Sequence, residues 1–418
     1  MRLRMVFCGR DGRVYDFPGL AMAGANGSTW LPVAWRETIP FPAGSTIVAL
    51  PGRRPVGWDP ASGRFESVGR FGGVGAACAA AAVLPPAYLR TLLPAQRRSS
   101  GAEPLPLLGY TAVGWAREGF RVAALRLDRR RSWDPDQFGT RELPRLVAAR
   151  VREFRGNRIV EQLARCSTEY NCYTAQNFFY GRREAGIPVS SRCNARCVGC
   201  ISLQAPGCGP SAQERIGFEP TVEEIAAVAL SHLANAREPM VSFGQGCEGE
   251  PLTRADAIAE AVRRVRAATR RGTVHINTNG SRPDAVDDLA KAGVDSLRVS
   301  LASCDPIRYD AYHRPQGYNL WDVGKFVDRA KRRGLRVALN VLAIPGVTDT
   351  EGEMRRLLAF LRRHPVDAVQ LRNLNLDPGV ALDLLAPSEP GIGIRRFLSR
   401  LRGELTGIRL ESFNRPVR

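Results

Sequence analysis

The chain has 418 residues, of which 44% are hydrophobic, and its formal net charge is +19 at pH 7. This length exceeds one ordinary core, so we expect two domains, and the composition excludes a wholly disordered protein. The longest run of small apolar residues, VGAACAAAAVL, is shorter than the roughly 20 residues of a membrane helix, so we expect it to form a buried helix and expect no membrane association.

The N-terminus and the distribution of charge indicate a compartment and a class of partner. Asp11 and Gly12 interrupt the first apolar residues before a secretion signal can form. We therefore expect a cytoplasmic protein, where cysteines stay reduced and clusters of them bind metal more often than they form disulfides. Residues 1–185 carry 27 basic and 15 acidic side chains. Such a surface suits RNA or another polyanion, and it equally suits a solvated arginine-rich face.

The first part of the chain predicts strands, and a short helical part follows it. Segments such as RMVFCGRDGRVYDF and VGWDPASGRFE have the turn residues and apolar flanks of hairpins. We expect a β-rich basic domain over residues 1–150. The amphipathic segments RELPRLVAARVREF and NRIVEQLARC then predict helices, so residues 151–186 form a helical, cysteine-containing connector.

From residue 187 onward, short apolar runs alternate with helical segments. Six such runs, from GIPVS to DAVQLRNLNL, are each separated by an amphipathic stretch. This alternation predicts an α/β fold with parallel βα units. We expect a partial (β/α)6 parallel barrel over residues 187–380, completed by a C-terminal helical segment over 381–418. In such folds the chemistry gathers at the C-terminal ends of the strands.

Three cysteines lie on one short loop after the first predicted strand of the barrel. Cys193, Cys197 and Cys200 have the spacing C-x3-C-x2-C in the segment RCNARCVGC. Structural zinc sites usually take four Cys or His ligands, and no histidine lies near this loop. Three thiolates can instead hold a [4Fe–4S] cluster and leave one iron open to a substrate or cofactor. The spacing therefore favours a cluster over zinc.

With this loop the sequence resembles the radical S-adenosylmethionine (SAM) enzymes, and the resemblance runs from about Ile187 to Asp377. It implies that the three cysteines hold a [4Fe–4S] cluster whose open iron is chelated by SAM. It also implies that one electron from the cluster cleaves SAM to methionine and a 5′-deoxyadenosyl radical, which abstracts hydrogen from a substrate. The resemblance thus adds SAM as a cofactor and an electron donor, such as flavodoxin or ferredoxin, as a partner.

Later motifs extend the resemblance to the cofactor site. Gly249 and Glu250 in GQGCEGEPL resemble the family's GGEP motif, which meets the SAM amino group, although Glu248 stands where the first glycine usually does. A carboxylate is a sound partner for an ammonium group. Asn279 in NTNG and Ser300 in RVSLAS end two predicted strands and are candidate contacts to SAM. Each could instead be a turn or capping residue.

Two further segments fit the same family. In AIPGVTDTEGE, Pro345 and Gly346 predict a tight turn after the fifth strand, and Asp349 is a candidate cap of the next helix. This segment supports the fold more than the chemistry. In YHRPQGYN, His313 and Arg314 either contact substrate or SAM or form an exposed loop pair.

Four more cysteines are expected near the mouth of the barrel. They could hold a second cluster or a zinc ion, or they could be small buried hydrophobic side chains. These residues are Cys166, Cys172, Cys208 and Cys247.

Two classes of function compete at this point. The first is a radical SAM enzyme with an unidentified substrate, which could be a small molecule, a peptide or RNA, and with no residue assigned to the hydrogen transfer itself. The second is a zinc-dependent nucleic-acid-binding protein with structural cysteines and a basic face for phosphates. Metal analysis distinguishes the two.

Overall fold

The structure is a computed structural model that describes residues 3–204 and 211–417. Its N-terminal part is β-rich, and short 3-10 helices lie at Trp35–Glu37, Arg131–Trp133 and Pro135–Gln137. The strands of this part are β1 (Arg4–Cys8), β2 (Val14–Ala21), β3 (Ala23–Asn26), β4 (Thr29–Pro32), β5 (Ile39–Pro40), β6 (Thr46–Leu50), β7 (Arg53–Asp59), β8 (Arg64–Ser67), β9 (Arg70–Phe71), β10 (Gly75–Ala76), β11 (Cys78–Val83), β12 (Tyr88–Arg90), β13 (Leu93–Pro94), β14 (Gln96–Arg98), β15 (Tyr110–Thr111), β16 (Val113–Ala116), β17 (Gly119–Val122) and β18 (Ala124–Arg126).

Strand β1 lies at the centre of the main antiparallel sheet. It pairs with β2, β11 and β16, and all of its residues after Arg4 are buried. The apolar run VGAACAAAAVL was expected to form a buried helix, but it contributes strand β11 to this sheet instead. The small side chains of β11 allow close packing against β1 and β6. Among the described residues, no helix is both long and apolar enough to cross a membrane.

Three helices connect the β-rich part to the second sheet: α1 (Leu143–Glu153), α2 (Arg158–Thr168) and α3 (Tyr173–Tyr180). Helix α2 begins where the Asn157 side chain accepts hydrogen bonds from two backbone N–H groups of the first turn. Its buried face includes Ile159, Val160 and Leu163. Helix α3 ends at Gly181, whose φ of 61° suits a left-handed C-terminal cap.

The second sheet contains seven parallel strands in chain order, so each strand lies beside the next one in sequence. Its strands and helices are β19 (Arg182–Gly186), α4 (Val222–Asn235), β20 (Arg237–Phe243), a 3-10 helix (Pro251–Arg254), α5 (Ala255–Ala268), β21 (Thr273–Thr278), a 3-10 helix (Pro283–Ala285), α6 (Val286–Ala292), β22 (Ser296–Leu301), α7 (Pro306–His313), α8 (Leu320–Arg332), β23 (Arg336–Ala343), α9 (Glu351–Arg363), β24 (Ala368–Asn373), α10 (Pro378–Leu385), α11 (Ile394–Glu404) and β25 (Arg409–Glu411).

The predicted partial parallel barrel is confirmed, and the sheet has one strand more than the six predicted. The first strand, β19, ends at Gly186, so it shares only this glycine with the segment GIPVS in which we expected the strand. The seventh strand, β25, lies in the segment predicted as helical. Both strands carry charged residues and lack the apolar run that marks the other five.

The β-rich part packs against the end of the barrel at which β23 and β24 finish. Arg53 forms a buried ion pair with Asp377, with 2.5 Å between Nη2 and Oδ2 and both side chains only 1% exposed. Arg90 donates to the Leu374 carbonyl at 2.6 Å, and its backbone N–H donates to Asn373. The two parts therefore share a polar, buried interface at the mouth of the barrel.

The predicted turn at Pro345 and Gly346 lies in the same interface. The Gly346 φ is 84°, and an added Cβ would lie 1.9 Å from the backbone nitrogen of Gly27. Asp349 accepts from the Gly346 N–H at 2.6 Å and from Asn26 at 3.1 Å, so it fixes the turn and does not cap the helix. Helix α9 is capped by Thr350 instead, which corrects the prediction by one residue.

Candidate cluster and cofactor site

The three loop cysteines lie between β19 and α4, on a loop held by backbone hydrogen bonds to the end of α7. The Val198 N–H donates to the Tyr312 carbonyl at 3.0 Å, and the Arg196 N–H donates to the His313 carbonyl at 3.1 Å. The loop and residues 312–316 therefore run side by side, with an antiparallel bridge between Ala195 and Pro315. This pairing fixes the loop backbone without using the thiols.

The thiols of Cys193, Cys197 and Cys200 are partly exposed and lie close enough to affect one another electrostatically. Burial, and then the nearby charge of Glu250, raises the pKa of Cys193 to about 11. Burial also raises the pKa of Cys197, and the other two thiols raise it further. Thiolates in this setting need a bound cation to stay deprotonated, because metal coordination removes the thiol proton. The donor set therefore fits an iron–sulfur cluster.

Two side chains direct hydrogen-bond donors at the cysteine sulfurs. The His313 Nε2 accepts from the Ala302 N–H at 3.1 Å, so the ring carries its hydrogen on Nδ1, which lies 3.4 Å from the Cys197 sulfur. Arg215 Nη2 lies 3.4 Å from the Cys200 sulfur. From the sequence, His313 was expected either to contact substrate or SAM or to be an exposed loop residue. In the structure, His313 is buried against the cysteine loop.

Within residues 3–204 and 211–417, no three Cys, His, Asp or Glu side chains are gathered as ligands of a single metal ion. A single zinc ion needs its ligands about 2.0–2.3 Å from one point. The three cysteines that hold a [4Fe–4S] cluster bind different iron atoms, so they need not converge in that way. Three cysteines on one loop are compatible with that mode of binding.

Gly249 brings the next motif into contact with the cysteine loop. Its N–H donates to the Ser190 carbonyl at 2.7 Å, and the N–H of Glu250 donates to the Arg192 carbonyl at 2.8 Å. An added Cβ at Gly249 would lie 1.9 Å from that Arg192 oxygen. The close approach of the two backbones therefore requires glycine, and it places Glu250 near Cys193.

The Glu250 carboxylate is buried at the ends of two strands. Its Oε1 accepts from Thr278 Oγ1 at 2.5 Å and from the Leu252 N–H at 3.0 Å, and its Oε2 accepts from the Asn279 N–H at 2.8 Å. Burial raises the pKa of Glu250 to about 7. An ammonium group bound here would offset that burial and favour the charged carboxylate.

The structure brings Asn279 into the same group and leaves Ser300 apart from it. Asn279 Nδ2 donates to Asn194 Oδ1 on the cysteine loop at 2.8 Å. Ser300 accepts from Asn340 Nδ2 at 3.4 Å, further along the sheet. The Asn340 Oδ1 is buried and has no partner among the described residues, so this pair retains an acceptor for a ligand.

In the sequence, Glu248 departs from the family motif, which has glycine at this position. In the structure, the Glu248 carboxylate joins two loops by hydrogen bonds. Its Oε1 accepts from the N–H groups of Gly244 and Gln245 at 2.7 and 2.6 Å. Its Oε2 accepts from the N–H groups of Val189 and Ser190 at 2.7 and 3.1 Å. One buried carboxylate therefore joins the loop after β20 to the segment that leads into the cysteines. No local sequence signal identifies this role.

The four further cysteines are brought together in part. The interaction of Cys166 with Cys247 lowers the pKa of Cys166 and raises that of Cys247. Cys172 lies close enough to raise the pKa of Cys247 further. Cys208 lies outside the described residues. The second cluster or zinc ion therefore stays a prediction.

A cavity of about 620 Å³ lies beside the cysteine loop, between the β-rich part and the barrel. Ile201, which follows Cys200, lines it, as do the residues that follow β20. Among the described residues, the lining is Pro86, Trp133, Asn171, Cys172, Tyr173, Thr174, Glu184, Ile201, Gln213, Gly244, Gln245, Gly246, Asn277, Arg298, Arg372 and Phe413.

Comparison with known proteins identifies a family for the barrel part of the chain. Residues 187–358 match the model of the radical SAM superfamily. GTP 3′,8-cyclase of Marinobacter nauticus is 33% identical over 209 residues, which are 47% of this chain and 57% of that protein. GTP 3′,8-cyclase of Lactiplantibacillus plantarum is 30% identical over 186 residues, which are 44% and 51% of the two chains. This chain thus spans little more than half of these relatives.

Among solved structures, SuiB of Streptococcus suis bound to the precursor peptide SuiA is similar with a TM-score of 0.40 and 14% identity, over 60% of this chain and 53% of that one. The family match covers the cysteine loop, the Gly249-Glu250 motif and the ends of β21 and β22. It supports an enzyme over the zinc-dependent nucleic-acid-binding alternative. Residues 187–358 form a domain of the radical SAM superfamily.

Proposed function

We propose that this enzyme cleaves SAM reductively at a [4Fe–4S] cluster held by Cys193, Cys197 and Cys200, and that it removes a hydrogen atom from a small molecule bound in the adjoining cavity. The observation that carries the proposal is the contact of the cysteine loop with Gly249 and Asn279. These contacts put three thiol groups, a buried carboxylate and an amide in one site.

The residues of the chain hold and orient the cofactors. When bound, the cluster and SAM would together supply the one-electron chemistry that removes hydrogen from the substrate. Glu250 binds the SAM ammonium, since its Oε2 accepts only one hydrogen bond from the described residues and keeps a lone pair. Asn279 orients the SAM carboxylate or ribose through its amide. His313 and Arg215 direct their donors at two of the sulfurs.

The size of the cavity favours a small-molecule substrate over a peptide or RNA. Its volume of about 620 Å³ lies in the usual range for small-molecule sites. The β-rich part contributes Pro86 and Trp133 to its wall, so this part helps to exclude water from the reaction. An electron donor such as flavodoxin or ferredoxin supplies the reducing electron.

The test is iron content together with SAM cleavage. Anaerobically reconstituted wild type should carry about four irons on this loop and form 5′-deoxyadenosine when reduced with dithionite. Replacing Cys193, Cys197 and Cys200 together by Ala should abolish both. The matched control replaces three cysteines away from the loop, Cys8→Ala, Cys78→Ala and Cys304→Ala, and should keep both. A loop variant with wild-type iron and sulfide contradicts the proposal.

A further inference from the structure

The cavity beside the cluster loop contains two arginines whose charge the protein does not fully balance. Arg298 lies in β22 and Arg372 in β24, and both line the cavity. Among the described residues, Arg298 makes no hydrogen bond or ion pair, and its Nε is buried without a partner. Arg372 donates from Nη2 to the Ser412 carbonyl at 3.0 Å, and its Nε is likewise unpartnered.

The acidic residues nearby balance only one of these two charges, because Glu184 attracts both guanidinium groups. Glu184 is the one carboxylate in the described lining of the cavity, and it accepts from Asn414 Nδ2 at 2.8 Å. Glu411 is already shared by Arg336 at 2.9 Å and Arg415 at 2.7 Å. The two cavity arginines therefore have one carboxylate between them, that of Glu184. The second carboxylate, that of Glu411, likewise serves two other guanidinium groups.

This excess is costly to bury. Burial, and then the like charge of Arg372, lower the pKa of Arg298 to about 9, although the charge of Glu184 acts in the opposite direction. Buried charges in proteins are normally paired, because water no longer solvates them. Two partly buried guanidinium groups that share one carboxylate, each with a buried and unpartnered Nε, and that line a ligand-sized cavity therefore indicate that a negative group binds beside them.

We propose that the substrate of this enzyme carries a phosphate or carboxylate group that binds between Arg298 and Arg372. Guanidinium groups bind the oxygen atoms of both kinds of anion in bidentate fashion. The inference deepens the proposed function, because it rests on this cavity being the substrate site. Since Ile201 of the same wall directly follows Cys200, a molecule anchored at the arginines extends toward the cluster loop.

The test is anion binding to the anaerobically reconstituted full-length protein. Inorganic phosphate and succinate are titrated by calorimetry and by thermal unfolding, so that the two anion types are compared directly. We expect at least one to bind and to raise the melting temperature. Arg298→Gln and Arg372→Gln should each weaken that binding about 10- to 100-fold, as loss of a charge-assisted hydrogen bond implies. Arg270→Gln removes the same charge at an exposed position and should bind as wild type does.

A second readout separates a binding role from a structural one. Without anion, the two glutamine variants should be at least as stable as wild type, because they remove a repulsive buried charge. Wild type that binds neither probe, variants that bind like wild type, or SAM that displaces the bound probe would each overturn the inference. Iron and sulfide are measured on the same samples, so loss of the cluster in wild type would count against the proposed function alone.

Discussion

The substitution Gly249→Ala tests whether close contact between two backbones assembles the site. The new methyl group would lie 1.9 Å from the Arg192 carbonyl oxygen and 2.5 Å from its carbonyl carbon. Backbone atoms cannot rotate away as a flexible side chain can, so the segment that contains Glu250 must move away from the cysteine loop. Arg192 immediately precedes Cys193, and the displacement therefore reaches the cluster ligands directly.

The expected cost follows from two contributions. Overpacking costs about 1–3 kcal/mol. The two hydrogen bonds that join the segments, from Gly249 to Ser190 and from Glu250 to Arg192, contribute about 0.5–1.5 kcal/mol each. If both are lost, the free energy of unfolding should fall by about 2–6 kcal/mol. The iron content after reconstitution should fall as well.

Equilibrium denaturation by urea measures the loss, and iron analysis follows the site. Gly403→Ala is the matched control, because Gly403 lies exposed in α11 with no atom within 4 Å of the added methyl group. That control should gain about 0.4–1 kcal/mol from reduced chain entropy in the unfolded state. A Gly249→Ala protein with the wild-type midpoint and full iron content would refute the reasoning.

Three further predictions use other parts of the molecule. His313→Phe keeps an aromatic ring but removes the donor to Cys197, so the electron paramagnetic resonance spectrum of the reduced cluster should change while iron content does not; an unchanged spectrum would remove this role. Burial lowers the pKa of His232 to about 4, below its unfolded value of about 6.5. The free energy of unfolding should therefore fall by about 2 kcal/mol as the pH drops from 7 to 5, because the unfolded state binds the proton more tightly. In His232→Gln this pH-dependent loss of stability should be smaller by the same amount. If a second metal site exists, the variant without Cys193, Cys197 and Cys200 should still bind iron or zinc. A metal content at background level in that variant would show that four cysteines bind no metal: Cys166, Cys172, Cys208 and Cys247.

The barrel and its cysteine loop could be predicted because their signals are local. The spacing of Cys193, Cys197 and Cys200 lies within one loop, and each of the strands β20 to β24 contains at least two large apolar side chains between periodic helical segments. Strand β25 carries the sequence Arg-Leu-Glu and gives no such signal. Asp349 and Thr350 are adjacent residues that both suit a helix cap, and only the tertiary contact of Asp349 with Asn26 decides between them.

The residues that assemble the site were harder to find, because their partners are distant in sequence. Glu248 binds backbone groups 58 and 59 residues away, and a motif comparison shows it merely as a missing glycine. Arg298 and Arg372 lie in segments already assigned to strands, and their shared cavity depends on how the sheet curls. A charged residue within an apolar strand is the signal that could have drawn attention to both.

The buried ion pair between Arg53 and Asp377 links two parts of the chain that are 324 residues apart. Asp377 also accepts from the Leu105 N–H at 2.9 Å, so its carboxylate takes two contacts from the β-rich part. A fragment that begins at the barrel would leave this carboxylate, the turn at Gly346 and the apolar surface around them open to water. The two parts should therefore unfold in a single transition, and the barrel should aggregate when it is produced alone.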